Sequence, residues 1–180
     1  ASACAEGIAD NALLSANRKD SDRDPGQIGT TYRMKPLHVA LIVAIATAQI
    51  LIMSTIMVSR VRGFFTPSFD HGIFSQIFHQ MKTVGSQVTT LERSYPLSHF
   101  AVHISPILYL LVPFYALAPN PETLQVLQIL VVASGVIPLN LIMRKHAFHP
   151  NLRVFFSALY AFLPALNGSN MYDFHENCCL

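Results

Sequence analysis

The chain has 180 residues, of which 52% are hydrophobic and only 12% charged, with a formal net charge of +2. Soluble domains carry about twice that share of charge, so the composition points to a membrane protein. So small a net charge, with no basic patch interleaved by aromatics, excludes nucleic acid as a partner.

Residues 1–34 contain no long apolar run and include the cluster "NRKDSDRDPGQ", which predicts a disordered cytoplasmic tail. No apolar signal-peptide core precedes Leu37. The uncharged stretch "LHVALIVAIATAQILIMSTIMV", 37–58, would reach roughly 33 Å as a helix, enough to span a bilayer. Gln49, its one strongly polar residue, suits a helix–helix hydrogen bond better than a substrate contact.

In "FDHGIFSQIFHQM" the residues Phe69, Ile73, Phe74, Ile77, Phe78 and Met81 recur at intervals of four and five. This predicts an amphipathic helix over 69–81 with Gln76, His79 and Gln80 opposite, lying aromatic face down on the membrane surface. Asp70 sits near its start, after the turn residues Thr66-Pro67-Ser68. It is either an acid favoured by the helix N-terminus or a carboxylate held as a general base or metal ligand. In "HFAVH", His99 and His103 share one face if helical. That spacing suits a metal ion, although no third ligand is visible, and it equally suits two interfacial histidines.

The segment 104–118, "ISPILYLLVPFYALA", holds two prolines and would reach only roughly 22 Å as a helix. Residues 123–143 form a second clear span, in which Pro138 predicts a kink and Ser134-Gly135 close packing against a neighbour. Residues 152–171 form the third candidate, followed by "YDFHENCCL", where Asp173, His175 and Glu176 crowd together as a loop end or part of a site. Cys4, Cys178 and Cys179 make neither a disulfide framework nor a metal motif.

Charge decides the topology. Five Lys/Arg precede the first span, and "RKHAFHPNLR", 144–153, holds three more. Both groups read as cytoplasmic, and they share a side only if an even number of crossings separates them. Residues 104–118 are therefore expected to be embedded without crossing. The expectation is an all-α, multi-pass membrane protein with three spans, a cytoplasmic N-terminus and an outer loop over 59–121. Asp70, His99, His103, Asp173, His175 and Glu176 would then share the outer face with Arg60, Arg62, Lys82 and Arg93. A start without Met and a polar ending just past a span predict the N-terminal part of a longer protein.

"FDHGIFSQ" (69–76), "HISPILYLLVPFYAL" (103–117), "LQVLQILVVASGVIPLNLIMRK" (124–145) and "LPALNGSNMYDFH" (163–175) resemble the polytopic membrane family called domain of unknown function family 2079. That family in turn looks like a branch of the GT-C glycosyltransferases, which take a sugar from a polyprenyl-phosphate carrier outside the cytoplasmic membrane. The resemblance implies a partial GT-C-like helical bundle with outer juxtamembrane helices, and it gives Asp70 the role of catalytic carboxylate. His103 opens the His-x-Ser-Pro match, and Asp173-Phe174-His175 matches the family's "DFH". His99, Arg60 and Arg62 are further candidates for binding the leaving phosphate. A divalent metal is left open as cofactor. His71 stands where the family commonly has a small apolar residue, and the usual proline after "DFH" is missing. The rival readings are a transporter segment, weakened by spans that hold no acidic or basic group away from their first residues, and a membrane protein without chemistry of its own.

Overall fold

The structure, a computed structural model, describes residues 32–66 and 69–175. Residues 1–31, Pro67 and Ser68 of the expected turn, Glu176 and the two C-terminal cysteines lie outside them.

Helix α1 runs over Pro36–Arg62. Proline opens it, where its missing N–H is no loss, and Arg60 and Arg62 face the carbonyl end of the helix dipole. With 27 residues it is about 40 Å long. Helix α2, Asp70–Val84, stops at Gly85, whose φ of 70° is the left-handed cap that glycine adopts without strain. A two-residue antiparallel pair follows, β1 (Val88–Thr89) with β2 (Leu97–Ser98), in the register Val88↔Ser98. The Gln76 side chain anchors it, its Oε1 accepting from the Thr89 hydroxyl at 2.8 Å and the Thr90 N–H at 3.0 Å. Helix α3 spans Ile107–Leu117; at 11 residues it measures about 16 Å, roughly half a bilayer's hydrocarbon thickness.

Helices α4 (Pro121–Ser134) and α5 (Val136–Lys145) form one apolar stretch of 25 residues, interrupted at Gly135. Pro138 is the cause: it lacks an N–H, and its ring crowds the carbonyl of Ser134 one turn earlier. At the interruption Tyr160 donates its hydroxyl to the Val132 carbonyl at 2.7 Å. A Cβ on Gly135 would lie 2.0 Å from that hydroxyl oxygen, so only glycine admits the tyrosine.

The stretch 152–171 is not one helix. It divides into α6 (Pro150–Phe162) and α7 (Pro164–Asn170), with Leu163 extended at φ −62° and ψ 120°. A residue before proline is pushed out of the helical region by the proline Cδ, and Leu163 precedes Pro164.

Three contacts give the direction of these elements. His38 meets Asn151 at 3.0 Å, Gln49 donates to Asn167 at 3.3 Å, and Arg60 donates to the Met171 carbonyl. Helices α6 and α7 therefore climb beside α1 in the same direction and along most of its length. The return path is α4–α5, because Glu122 at its start pairs with Arg62 at 3.2 Å while Arg144 near its end shares a cavity with Arg33. The bundle thus runs up, down and up again, with α1 packed against both α4 and α6. Helices α2 and α3 and the β-pair gather at the far end of α1.

The core sits there. Phe74, Ile77, Phe78 and Met81 of α2 pack with Leu108, Leu111 and Tyr115 of α3, Leu124 and Leu127 of α4, and Phe174. The greasy stripe of α2 is therefore buried against protein, where a face resting on lipid was expected. Three neighbouring apolar faces are available to it, and close-packed side chains gain more dispersion energy than loose contact with fluid chains.

Candidate functional site

The first turn of α2 presents Asp70 and His71. Asp70 is the opening residue of the helix and is half-buried, placed where the N-terminal dipole favours a carboxylate. His71 turns inward and is buried. Gln125 of α4 directs its amide nitrogen at the His71 Nδ1 from 3.5 Å, and the His71 Nε2 is buried with no hydrogen-bond partner among the described residues. Burial holds the His71 pKa below the ordinary histidine value, with the negative charges of Asp173 and then Glu122 pulling it back up. The imidazole is therefore neutral at pH 7 and stands within the field of Asp173.

Asp173 and Phe174 reach the same place from the opposite end of the chain, and both are fully buried. Phe174 sets its ring edge-on between Phe74 (5.1 Å) and Phe78 (5.7 Å). The His175 ring lies 5.8 Å from Phe74, and its backbone N–H donates to Gln128 Oε1 at 3.1 Å. Asn170, at the end of α7, is also fully buried, and neither polar atom of its side chain has a partner among the described residues. Buried polar atoms left unbonded cost about 1–3 kcal/mol each, and they concentrate where a ligand or water completes the set.

The remaining residues singled out in the sequence divide. His99 is buried, its Nδ1 lies 2.8 Å from Glu92, and its ring meets Phe74 at 5.2 Å. His103 is exposed, with its ring 5.7 Å from that of His99. The stretch is a short 3-10 turn over His99–Ala101 rather than an α-helix, yet the two rings still lie side by side. Arg60 spends its guanidinium on the carbonyls of Met171 and Phe65, and Arg62 is paired with Glu122. Those two arginines hold the frame of the site together.

His71, Gln125, Gln128 and Asn170 complete the cluster and were not anticipated as site residues. A trace of them exists in "TLQVLQ", where two glutamines three apart put a polar stripe on one face of an apolar helix. Among the described residues no three or more His, Cys, Asp or Glu side chains gather closely enough to hold a metal ion. The divalent metal that the sequence leaves open therefore has no ligand set there.

Two helical stretches are long and apolar enough to cross a bilayer, and much of α1 turns large apolar side chains outward. With the helical fold this defines an all-α membrane protein, in which every backbone polar group of a span is satisfied within its own helix. The chain belongs to the family of predicted membrane proteins DUF2079, which matches it over residues 60–180. No curated protein and no solved structure matches it.

Proposed function

We propose that this chain is the N-terminal part of a membrane glycosyltransferase that moves a sugar from a polyprenyl-phosphate donor to a hydroxyl acceptor. The observation that carries the reading is the meeting of α2, with Asp70 and His71, and the Asp173-Phe174-His175 segment at one end of the bundle. Two segments about a hundred residues apart in sequence converge on a polar cluster beside an apolar exterior, where a lipid-borne substrate would arrive.

The chemistry follows from the groups present. Asp70 accepts the proton of the acceptor hydroxyl as its oxygen attacks the anomeric carbon. The bond from that carbon to the phosphate oxygen breaks, and the electron pair leaves with the polyprenyl phosphate. His103 beside His99, and His175 beside Phe74 of α2, offer imidazole N–H donors to that departing charge. His99, bonded to Glu92, sets its ring beside that of His103. Arg60 and Arg62 contact the phosphate only after leaving their present partners.

Orientation comes from charge. Among the described residues Arg33, Lys35, Arg144, Lys145 and Arg153 lie at the end remote from the site, against Arg60, Arg62, Lys82 and Arg93 on the site side, and the tail before residue 32 adds Arg18, Lys19 and Arg23 to the remote group in sequence. The positive-inside rule puts the remote end in the cytoplasm, with three crossings and the site on the outer face of the cell membrane.

The test is transfer of labelled sugar from a polyprenyl-phosphate donor in membranes that hold the protein. Asp70→Asn is expected to lower the rate by about 10²–10⁴-fold, with insertion and abundance unchanged. Transfer at the wild-type rate would remove Asp70 from the mechanism.

A further inference from the structure

The end of the bundle remote from the site carries a second pair of cavities. One, of about 490 Å³, is lined by Tyr32, Arg33, Met34, Arg144, Phe148 and Arg153 among others. Beside it, sharing Met34 and Arg153, an open groove of about 510 Å³ runs along α1 and α4–α5. Val39, Val43, Ile137 and Leu141 are among the residues lining that groove, and all four are exposed. Both volumes fall in the roughly 300–1,000 Å³ range of small-molecule sites.

The two cavities have opposite chemistry. Three guanidinium groups line the first, and no carboxylate of the described residues lies at that end of the bundle. Arg33 and Arg144 are exposed, whereas Arg153 is buried and donates through Nε to Asn140 Oδ1 at 3.3 Å. That bond fixes the guanidinium plane and leaves its two terminal nitrogens free of it. Arginine forks match the oxygens of a phosphate, and a partly dehydrated fork binds one more strongly. The groove, by contrast, offers almost entirely aliphatic wall. A ligand satisfying both needs an anionic phosphate at one end and a hydrocarbon chain at the other, and it must lie at the depth where α1 enters the bilayer.

We propose that this composite cavity binds one anionic glycerophospholipid, with its phosphodiester on Arg33, Arg144 and Arg153 and one acyl chain in the groove. The site lies at the opposite end of the bundle from Asp70 and does not depend on the transferase reading. Seated there, the lipid ties the start of α1 to the α5–α6 corner, the two elements that bring the arginines together. Basic pockets between transmembrane helices on the cytoplasmic side recognise anionic headgroups by this same combination of charge and depth.

The experiment uses the whole chain in a neutral detergent, titrated with phosphatidylglycerol, phosphatidylcholine or inorganic phosphate and followed by native mass spectrometry. One phosphatidylglycerol per chain is expected to be retained at least about ten-fold more tightly than phosphatidylcholine, because only the former presents a net anion. Millimolar inorganic phosphate should not displace it. The double variant R33Q/R144Q should weaken phosphatidylglycerol binding by at least about ten-fold, and both positions are exposed, so the fold persists. Equal retention of the two lipids, no retention of phosphatidylglycerol, or unchanged binding by the double variant would overturn the proposal. Displacement by inorganic phosphate would also overturn it, by reassigning the arginines to a soluble anion.

Discussion

Phe174→Ala is the substitution that most directly probes how the site is assembled. The ring is fully buried, and its edge-on contacts with Phe74 and Phe78 join the last described residues to α2. Truncating a buried phenylalanine to alanine costs about 3–5 kcal/mol, and part of that is the two aromatic pairs at about 0.5–1.5 kcal/mol each. Other anchors of the segment include the His175 N–H bond to Gln128, worth about 0.5–1.5 kcal/mol, and the Arg60 bond to the Met171 carbonyl. The ring is the largest of these three anchors. Helices α1, α4 and α6 pack through other residues, so the loss should open residues 171–175 locally and leave the bundle folded. At one decade per 1.4 kcal/mol, 3–5 kcal/mol corresponds to about 10²–10⁴-fold faster amide exchange at His175. Hydrogen exchange followed by mass spectrometry reads this out on a peptide covering 171–175. Phe162→Ala, at a ring that is 54% exposed, is the control and should change little. Exchange within about three-fold of wild type in the Phe174 variant would mean that buried polar groups hold the segment, and the packing argument would fail.

Three other outcomes follow from single positions. Gly135→Ala drives a methyl into the Tyr160 hydroxyl; repacking costs about 1–3 kcal/mol, and Gly135→Ala combined with Tyr160→Phe should recover part of it in a denaturation series. Gln49→Leu removes the buried link to Asn167, which keeps its bonds to the Ala161 and Leu163 carbonyls; a loss of about 0.5–1 kcal/mol is expected, since interhelical hydrogen bonds within membranes average near 0.6. The folded-state pKa of His71 lies below the ordinary 6.5, so the unfolded chain binds that proton first as pH falls. Its contribution is complete above pH 6.5 and shrinks from there down to the lowered folded pKa. Exchange protection of α2 should fall over that window in the wild type and not in His71→Gln.

Sequence alone determined the material and the spacing. An apolar run free of charge has to be a helix inside a bilayer, because no other local structure satisfies its backbone there, and 37–58 reads that way without reference to any neighbour. Pro138 and Gly135 announced an interruption with a close contact, since the missing N–H and the missing Cβ are properties of those residues themselves. The bend between Leu163 and Pro164 is equally written in the chain, in the proline itself, although hydrophobic length alone gives no sign of it. Tertiary structure alone decided which polar residues share a site. His71 appeared as a departure from a family pattern, and Gln125 and Gln128 as tolerated polar residues in a span. Only the climb of α6 and α7 beside α1 carries Asp173 and Phe174 back to the start of α2. Periodicity says which face of a helix is greasy, not whether lipid or protein covers it. The burial of Phe74 and Phe78 under α3 and Phe174 was settled by the shapes of three other segments, and no local pattern records them.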